Sequence, residues 1–171
     1  MTTTTSGRNG SLQRFGPDQA KMLYETAMMS MPEMEPAAPE ELMEWAQSAG
    51  HVVKVLFGDP EAGGMSLVWS WFGPKFAHPR HSHSADCMYY ITKGEIQMGR
   101  QILREGEGFF VPANAPYAYI AGSDGVEVLE FRSVSSFDMR ISENLPRWAK
   151  IVESVRVNRD QWQAESPMRS L

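Results

Sequence analysis

The sequence predicts an all-β domain, a small barrel or sandwich, with helical extensions at both ends. Three observations carry this. Between residues 51 and 132, short runs rich in β-branched and aromatic residues follow one another. Gly-, Pro-, Asp- and Asn-containing stretches separate them as turns. Helix start and stop signals occur only outside that region.

The chain has 171 residues, which suits one domain with appended segments. Hydrophobic residues make up 42% and charged residues 22%, the balance of an ordinary globular protein. The net charge is -5 and no basic stretch resembles a nucleic-acid footprint, so that partner class is disfavoured. The apolar runs are short and interrupted by charge, so no membrane span is expected. The start, MTTTTSGRNGS, lacks the apolar segment of a secretory signal. One cysteine forms no internal disulfide, which fits a cytoplasmic location.

Residues 1–14 are rich in Thr, Ser and Gly and read as a disordered tail. Residues 15–49 read as a helical arm. PDQAKMLYETAMM (17–29) predicts a short helix with Pro17 in its first turn. Three prolines in SMPEMEPAAP then break regular structure. PEELMEWAQSAG (39–50) predicts a second helix, with acids in the first turn and Gly50 at the stop. The barrel region, 50–135, contains strands at 51–57, 65–72, 87–92, 95–103, 108–112, 117–120 and 126–132. Residues 136–171 form a C-terminal helical segment around LPRWAKIVESVRVNRDQW that packs back on the barrel.

Alternation along strands assigns faces. Leu67, Trp69 and Trp71 share one, as do Cys87, Tyr89 and Ile91, and Tyr117 and Tyr119. With these faces inward, the interior is aromatic and amphipathic, suited to an organic ligand. Trp69, Trp71, Phe109 and Tyr119 are then the expected walls of a substrate pocket.

The stretch HPRHSHSADCMYY (78–90) concentrates the chemistry, with three histidines in six positions and the lone cysteine four residues on. His81 and His83 are two apart, so on an extended strand both rings project from one face. Neutral imidazole is a ligand for iron, zinc, nickel or copper.

PRHSHSADCMYYITKGEI resembles the first motif of the cupin superfamily, and REGEGFFVPANAPY resembles the second. In cupins, His-x-His is followed by Glu and later Gly, and the second motif runs Gly, Pro and then His. The three histidines and the Glu usually hold one metal inside a small jelly-roll barrel. Here His81 and His83 take the paired histidine positions, and Gly94, Gly106 and Pro112 match. Cys87 stands at the Glu position and Tyr117 at that of the last histidine. The resemblance covers residues 50–132. It implies a cupin-like barrel, one divalent ion (Fe, Zn, Ni or Mn) and a homodimer.

Four side chains are candidates to complete the ligand set. Cys87 would bind as thiolate. Asp86, its neighbour, offers the carboxylate common beside two histidines in non-haem iron sites. Tyr117 offers a phenolate or, at lower cost, a hydrogen bond to substrate. His78 points away on a straight strand, unless Pro79 bends it inward. His51 stays unassigned.

The expected function is that of a metal-dependent enzyme on a small organic substrate, a dioxygenase-type or a lyase/isomerase-type cupin, with Tyr117 or Tyr89 as proton donor. The alternative is a non-catalytic small-molecule-binding cupin. The short apolar strands and MMSMPEMEP (28–36) are candidates to seal the dimer.

Overall fold

The computed structural model describes residues 12–32 and 39–167. Most of the expected tail, and residues 33–36 of the Met-rich stretch, lie outside them.

The described residues form eleven strands: β1 (Lys21–Met22), β2 (Met29–Ser30), β3 (His51–Phe57), β4 (Ser66–Phe72), β5 (His81–Ser82), β6 (Cys87–Met98), β7 (Gln101–Arg104), β8 (Gly108–Val111), β9 (Ile120–Arg132), β10 (Phe137–Asp138) and β11 (Arg140–Ile141). The helices are α1 (Glu40–Ala46) and α2 (Leu145–Glu165). The main sheet runs β1-β3-β4-β9-β6-β7, with β8 also on β6, and its pairs are antiparallel. The segment around β5 is laced to the following layer by bridges His81↔Tyr117 and Ala77↔Ile120 and by the β5–β11 pair. β2 lies parallel to β10.

The expected helix at 17–29 does not form. Two 3-10 turns, Pro17–Gln19 and Leu23–Glu25, flank β1, whose residues Lys21 and Met22 pair with Val55 and Lys54. The open edge of β3 supplies this segment's backbone partners, and a solitary short helix has little to set against them. Met28 then drops into a cluster with Val55, Val68 and Phe137. Being fully buried in its own chain, it is not an interface residue.

The inward face of β4 also differs from expectation. Val68, Ser70 and Phe72 are the inner set, so Trp69 and Trp71 occupy the opposite face. Trp69 donates from Nε1 to Glu127 Oε2 at 3.4 Å, and Trp71 pairs across strands with Val52 and Glu127. Aromatic weight suggested the wrong parity because the true inner face carries a serine with a buried polar partner.

Gly94 sits at φ 78°, where β6 shifts register against β9. A Cβ there would lie 2.2 Å from the Gly125 carbonyl oxygen. Glycine alone tolerates both that backbone and that approach.

α2 begins with Asn144, whose side chain accepts from Arg147 N. Trp148, Ile151, Val152 and Val155 form its buried stripe. Trp45 of α1 meets Trp148 edge-on, and Arg156 grips the Glu44 carboxylate at 3.1 and 3.0 Å. At the far end Trp162 is fully buried, donates to Pro74 O at 2.8 Å, and rests on Gly50 and Gly73. α2 is thereby fastened across the end of the barrel nearest His51 and His78. Among the described residues no helix is long and apolar enough to cross a membrane.

Candidate functional site

A cavity of about 720 Å³ opens inside the barrel. Its polar wall is built by two segments that face each other. One is the bent stretch from His78 to His83; the other is the inner face of β6 and β9.

Pro79 bends the chain after His78, and backbone bonds fix the result. His78 N donates to Tyr119 O at 2.9 Å, and His81 and Tyr117 exchange bonds of 3.0 and 2.9 Å. The imidazoles of His81 and His83 are buried, with ring centroids 5.1 Å apart. The Nδ1 of His81 lies 2.7 Å from Pro79 O, and that of His83 lies 2.6 Å from Asp138 O. A carbonyl only accepts, so each Nδ1 carries the hydrogen and each Nε2 is left with its lone pair. That is the arrangement outer partners impose on metal-ligating histidines. Asp138 is itself held: its carboxylate accepts from Ser84 N at 2.8 Å and pairs with Arg140 at 2.7 Å.

His78 is brought inside rather than outward. Its ring is 4.9 Å from that of His81, among Phe72, Tyr119 and Trp45, and its Nδ1 has no partner. All three imidazoles are kept neutral. Burial pushes His81 down to about 4, with the neighbouring His83 adding to the effect. Burial, and then its neighbours His81, His51 and His83, hold His78 well below the usual range. Burial and Arg132 lower His83.

The opposite wall is a hydrogen-bonded relay. Ser70 Oγ donates to Glu130 Oε1 at 2.6 Å, and Arg132 Nη2 donates to Glu130 Oε2 at 2.8 Å. Arg132 Nη2 also reaches the Tyr89 hydroxyl at 3.4 Å, and the Tyr89 and Tyr117 hydroxyls bond each other. The Tyr117 ring lies 4.3 Å from that of His81. Burial alone would raise the Glu130 carboxyl, but Arg132 and Ser70 outweigh it and keep the group ionised. Tyr89 and Tyr117 are neutral phenols: burial raises both, joined by Tyr117 for the first and Glu130 for the second. A phenolate at Tyr117 is therefore disfavoured.

The other expected site residues divide. Tyr119 lines the cavity, while Trp69, Trp71 and Phe109 do not. Phe109 supports the site indirectly, stacked at 4.5 Å on Tyr89. Cys87 is buried on the inner face of β6 but does not line the cavity, and burial pushes its thiol up to about 12. Asp86 is exposed and accepts from Ala113 N at 2.7 Å. Neither side chain stands with the histidines. Ser70, Glu130 and Arg132 were missed, although parity along VEVLEFR would have placed Glu130 and Arg132 on the face of Val126 and Val128.

Among the described residues no group of three His, Cys, Asp or Glu is arranged to hold a metal ion. The donor chemistry of His81 and His83, with two pre-oriented lone pairs in one cavity, does fit a divalent ion held by a pair of imidazoles.

No family model matches the chain, and no curated protein matches it. Among solved structures, it is similar to the polyketide cyclase RemF from Streptomyces resistomycificus, with 15% identity and a TM-score of 0.56, over 90% of this chain and 99% of that one. An RmlC-like cupin from Ralstonia eutropha JMP134 follows at 12% identity and TM-score 0.49, over 72% and 69% of the two chains. The DMSP lyase DddQ from Ruegeria pomeroyi matches at 20% identity and TM-score 0.43, and this chain spans 46% of its length and is itself covered over 48%. The chain shares the fold of RemF over 90% of its length, and His81, His83, Gly94, Gly106 and Pro112 stand where the resemblance to the two cupin motifs placed them.

Proposed function

We propose that the protein is a metal-dependent enzyme acting on a small, largely apolar organic substrate. The observation that carries this reading is the pair of Nδ1–carbonyl bonds at His81 and His83, which turn two neutral imidazoles toward one cavity with their Nε2 lone pairs free. His81 and His83 would hold the ion; His78, its ring 4.9 Å from that of His81 and its Nδ1 unpartnered, lines the same cavity but would have to shift to join them. A divalent ion there supplies Lewis-acid chemistry or, if it is iron, oxidative chemistry. RemF, a polyketide cyclase of the same fold that this chain matches over 99% of its length, is compatible with enzymatic use of such a barrel.

The chain's own residues do the rest. Trp45, Phe72, Met29 and Met139 offer an apolar, water-excluding surface for the substrate body. Tyr117, coupled to Tyr89, presents a phenolic hydrogen near the histidines and would donate it to a substrate oxygen. Arg132 polarises Tyr89 from behind, and Glu130 fixes Arg132.

Elemental analysis of the purified protein tests the reading. About one equivalent of metal, absent from His81→Ala, is expected. Protein purified metal-free that does not take up Fe, Zn, Ni or Mn on addition rejects it.

A second reading, a binding module without turnover, is favoured by the absence of a ready three-ligand group among the described residues and by the aromatic cavity. Trp45 fluorescence quenched by an aromatic acid in metal-free, inactive protein would support it. The homodimer expected from the resemblance would use the exposed apolar strip of Met88, Phe110 and Phe131, whose cross-strand pairings make them neighbours. Light scattering of Met88→Glu tests that surface.

A further inference from the structure

Arg132 is the cavity residue whose bonding is least complete. It lines the cavity, its side chain is 1% exposed, and its guanidinium lies 4.0 Å above the Phe137 ring. A guanidinium has five N–H donors. Nη2 serves Glu130 and Tyr89, whereas Nε and Nη1 have no acceptor. Buried donors without acceptors are costly and are rare in folded proteins. The ring of Phe137 meets the flat face of the cation and offers no in-plane acceptor.

The charge around Arg132 decides what kind of acceptor fits. Glu130 already balances it at 2.8 Å, the nearby imidazoles and phenols are neutral, and Asp138 is matched by Arg140. Without a bound cation, a permanent carboxylate placed on Arg132 would meet Glu130 across the same guanidinium and lack a countercharge. A carbonyl oxygen accepts the unused hydrogens and adds no charge. As negative charge builds on that oxygen during reaction, the guanidinium and the Tyr89–Tyr117 hydroxyls stabilise it in place.

We infer that Arg132 is a specificity-determining residue whose free N–H groups receive a ketone-type carbonyl oxygen of the substrate, so that the protein selects uncharged, apolar ketones over carboxylates. This deepens, and rests on, the enzymatic reading of the cavity.

Equilibrium dialysis with three probes of one shape, acetonaphthone, ethylnaphthalene and naphthoate, tests it on the full chain in chelator-treated form, so that no cation offers the carboxylate a partner. Acetonaphthone is expected to bind at least tenfold more tightly than either of the others. Removing Arg132 alone strands Glu130, so the test variant is Arg132→Met combined with Glu130→Gln, with its fold checked by circular dichroism. In it the ketone preference over ethylnaphthalene disappears, and ethylnaphthalene affinity stays within about twofold. Arg132→Lys, which keeps the charge and one donor, is expected to retain part of the preference. Tightest binding of naphthoate, no binding of any probe, or a ketone preference surviving in the double variant overturns the inference. Elemental analysis of the same preparations before chelation is read separately. A preference lost in the double variant, in protein that takes up no metal, keeps the role of Arg132 and rejects the metal reading; a preference kept there, in protein that holds metal through His81, does the reverse.

Discussion

The Nδ1 hydrogen of His83 is donated to the carbonyl oxygen of Asp138, 55 residues away in sequence and 2.6 Å away in space. The aim of one imidazole is thereby set by the backbone of β10. Replacing the ring removes a cavity-facing donor and leaves the strands around it paired. His83→Ala is expected to lose bound metal and any turnover while its melting temperature moves by no more than a few degrees. Elemental analysis beside a melting curve checks this, and full metal content in the variant would show that another group holds the ion.

Cys87 gives a contrasting expectation. Its sulfur is buried, contacts Met88 O at 3.7 Å, and titrates only at about 12. The thiol is unreactive in that state. Iodoacetamide at neutral pH should leave it unmodified in the native protein and alkylate it fully in denaturant. Cys87→Ala should keep its metal and lose about 1 kcal/mol of stability. Loss of metal with the fold intact would return Cys87 to the ligand set.

The buried phenols can be followed by their ultraviolet absorbance. Burial holds Tyr89, Tyr117 and Tyr119 above the usual tyrosine range. Native protein taken through pH 10 should ionise none of these three, and alkaline unfolding should release them together. Tyr117→Phe is then expected to leave the native titration amplitude unchanged and to reduce the denatured one. A smaller native amplitude would mean that Tyr117 ionises in the fold.

Acid should weaken the fold through its histidines. Burial lowers His51 to about 4, whereas an unfolded histidine titrates near 6.5. Between those values the unfolded chain takes up a proton that the folded chain refuses. The stabilisation is complete above about pH 6.5 and is lost as pH falls through about 4. In chelator-treated protein, urea denaturation should show stability falling on acidification by up to about 1.4 kcal/mol per pH unit for this residue. His51→Gln should have a correspondingly shallower slope. Equal slopes would mean that His51 titrates normally in the fold.

The seat of α2 is open to direct measurement. Trp162→Ala removes a fully buried indole and its bond to Pro74. The expected cost is about 3–5 kcal/mol, or roughly 10 °C in melting temperature for a chain of this size. A change under about 2 °C would show that the helix end is not anchored there.

The strand region was legible in outline, from alternation, turn residues and two glycine-centred motifs, but not in its breaks: β6 and β9 run on through the gaps expected at 93–94 and 121–125, the strand expected at 95–103 is split at 99–100, and of 117–120 only Ile120 joins a strand. Helix α1 and helix α2 were legible from caps and apolar spacing. The segment before α1 was not, because β1 and β2 exist only through partners supplied by β3 and β10. At the site, the spacing of His81 and His83 put both on one face, and Pro79 offered a bend that would bring His78 in, but the sequence did not decide between that and an outward ring. The tryptophans of β4 misled for a physical reason. An apolar parity argument favours the bulkier face, and the inner face here is marked by Ser70, the small polar residue that satisfies Glu130. Buried charge leaves a faint trace in one-dimensional patterning, since Glu130 and Arg132 read as surface residues until their shared parity is noticed.

The pairing of β2 with β10 has a consequence for the cavity. Two backbone bonds, Phe137 N to Met28 O and Met139 N to Ser30 O, each 2.9 Å, tie the early chain to the rim where Met29, Phe137 and Met139 border the interior. The same junction buries Met28 against Phe137, and Phe137 in turn backs both Arg132 and His83. Whatever loosens the early chain would therefore be felt at the cavity, through a residue that carries no chemistry of its own.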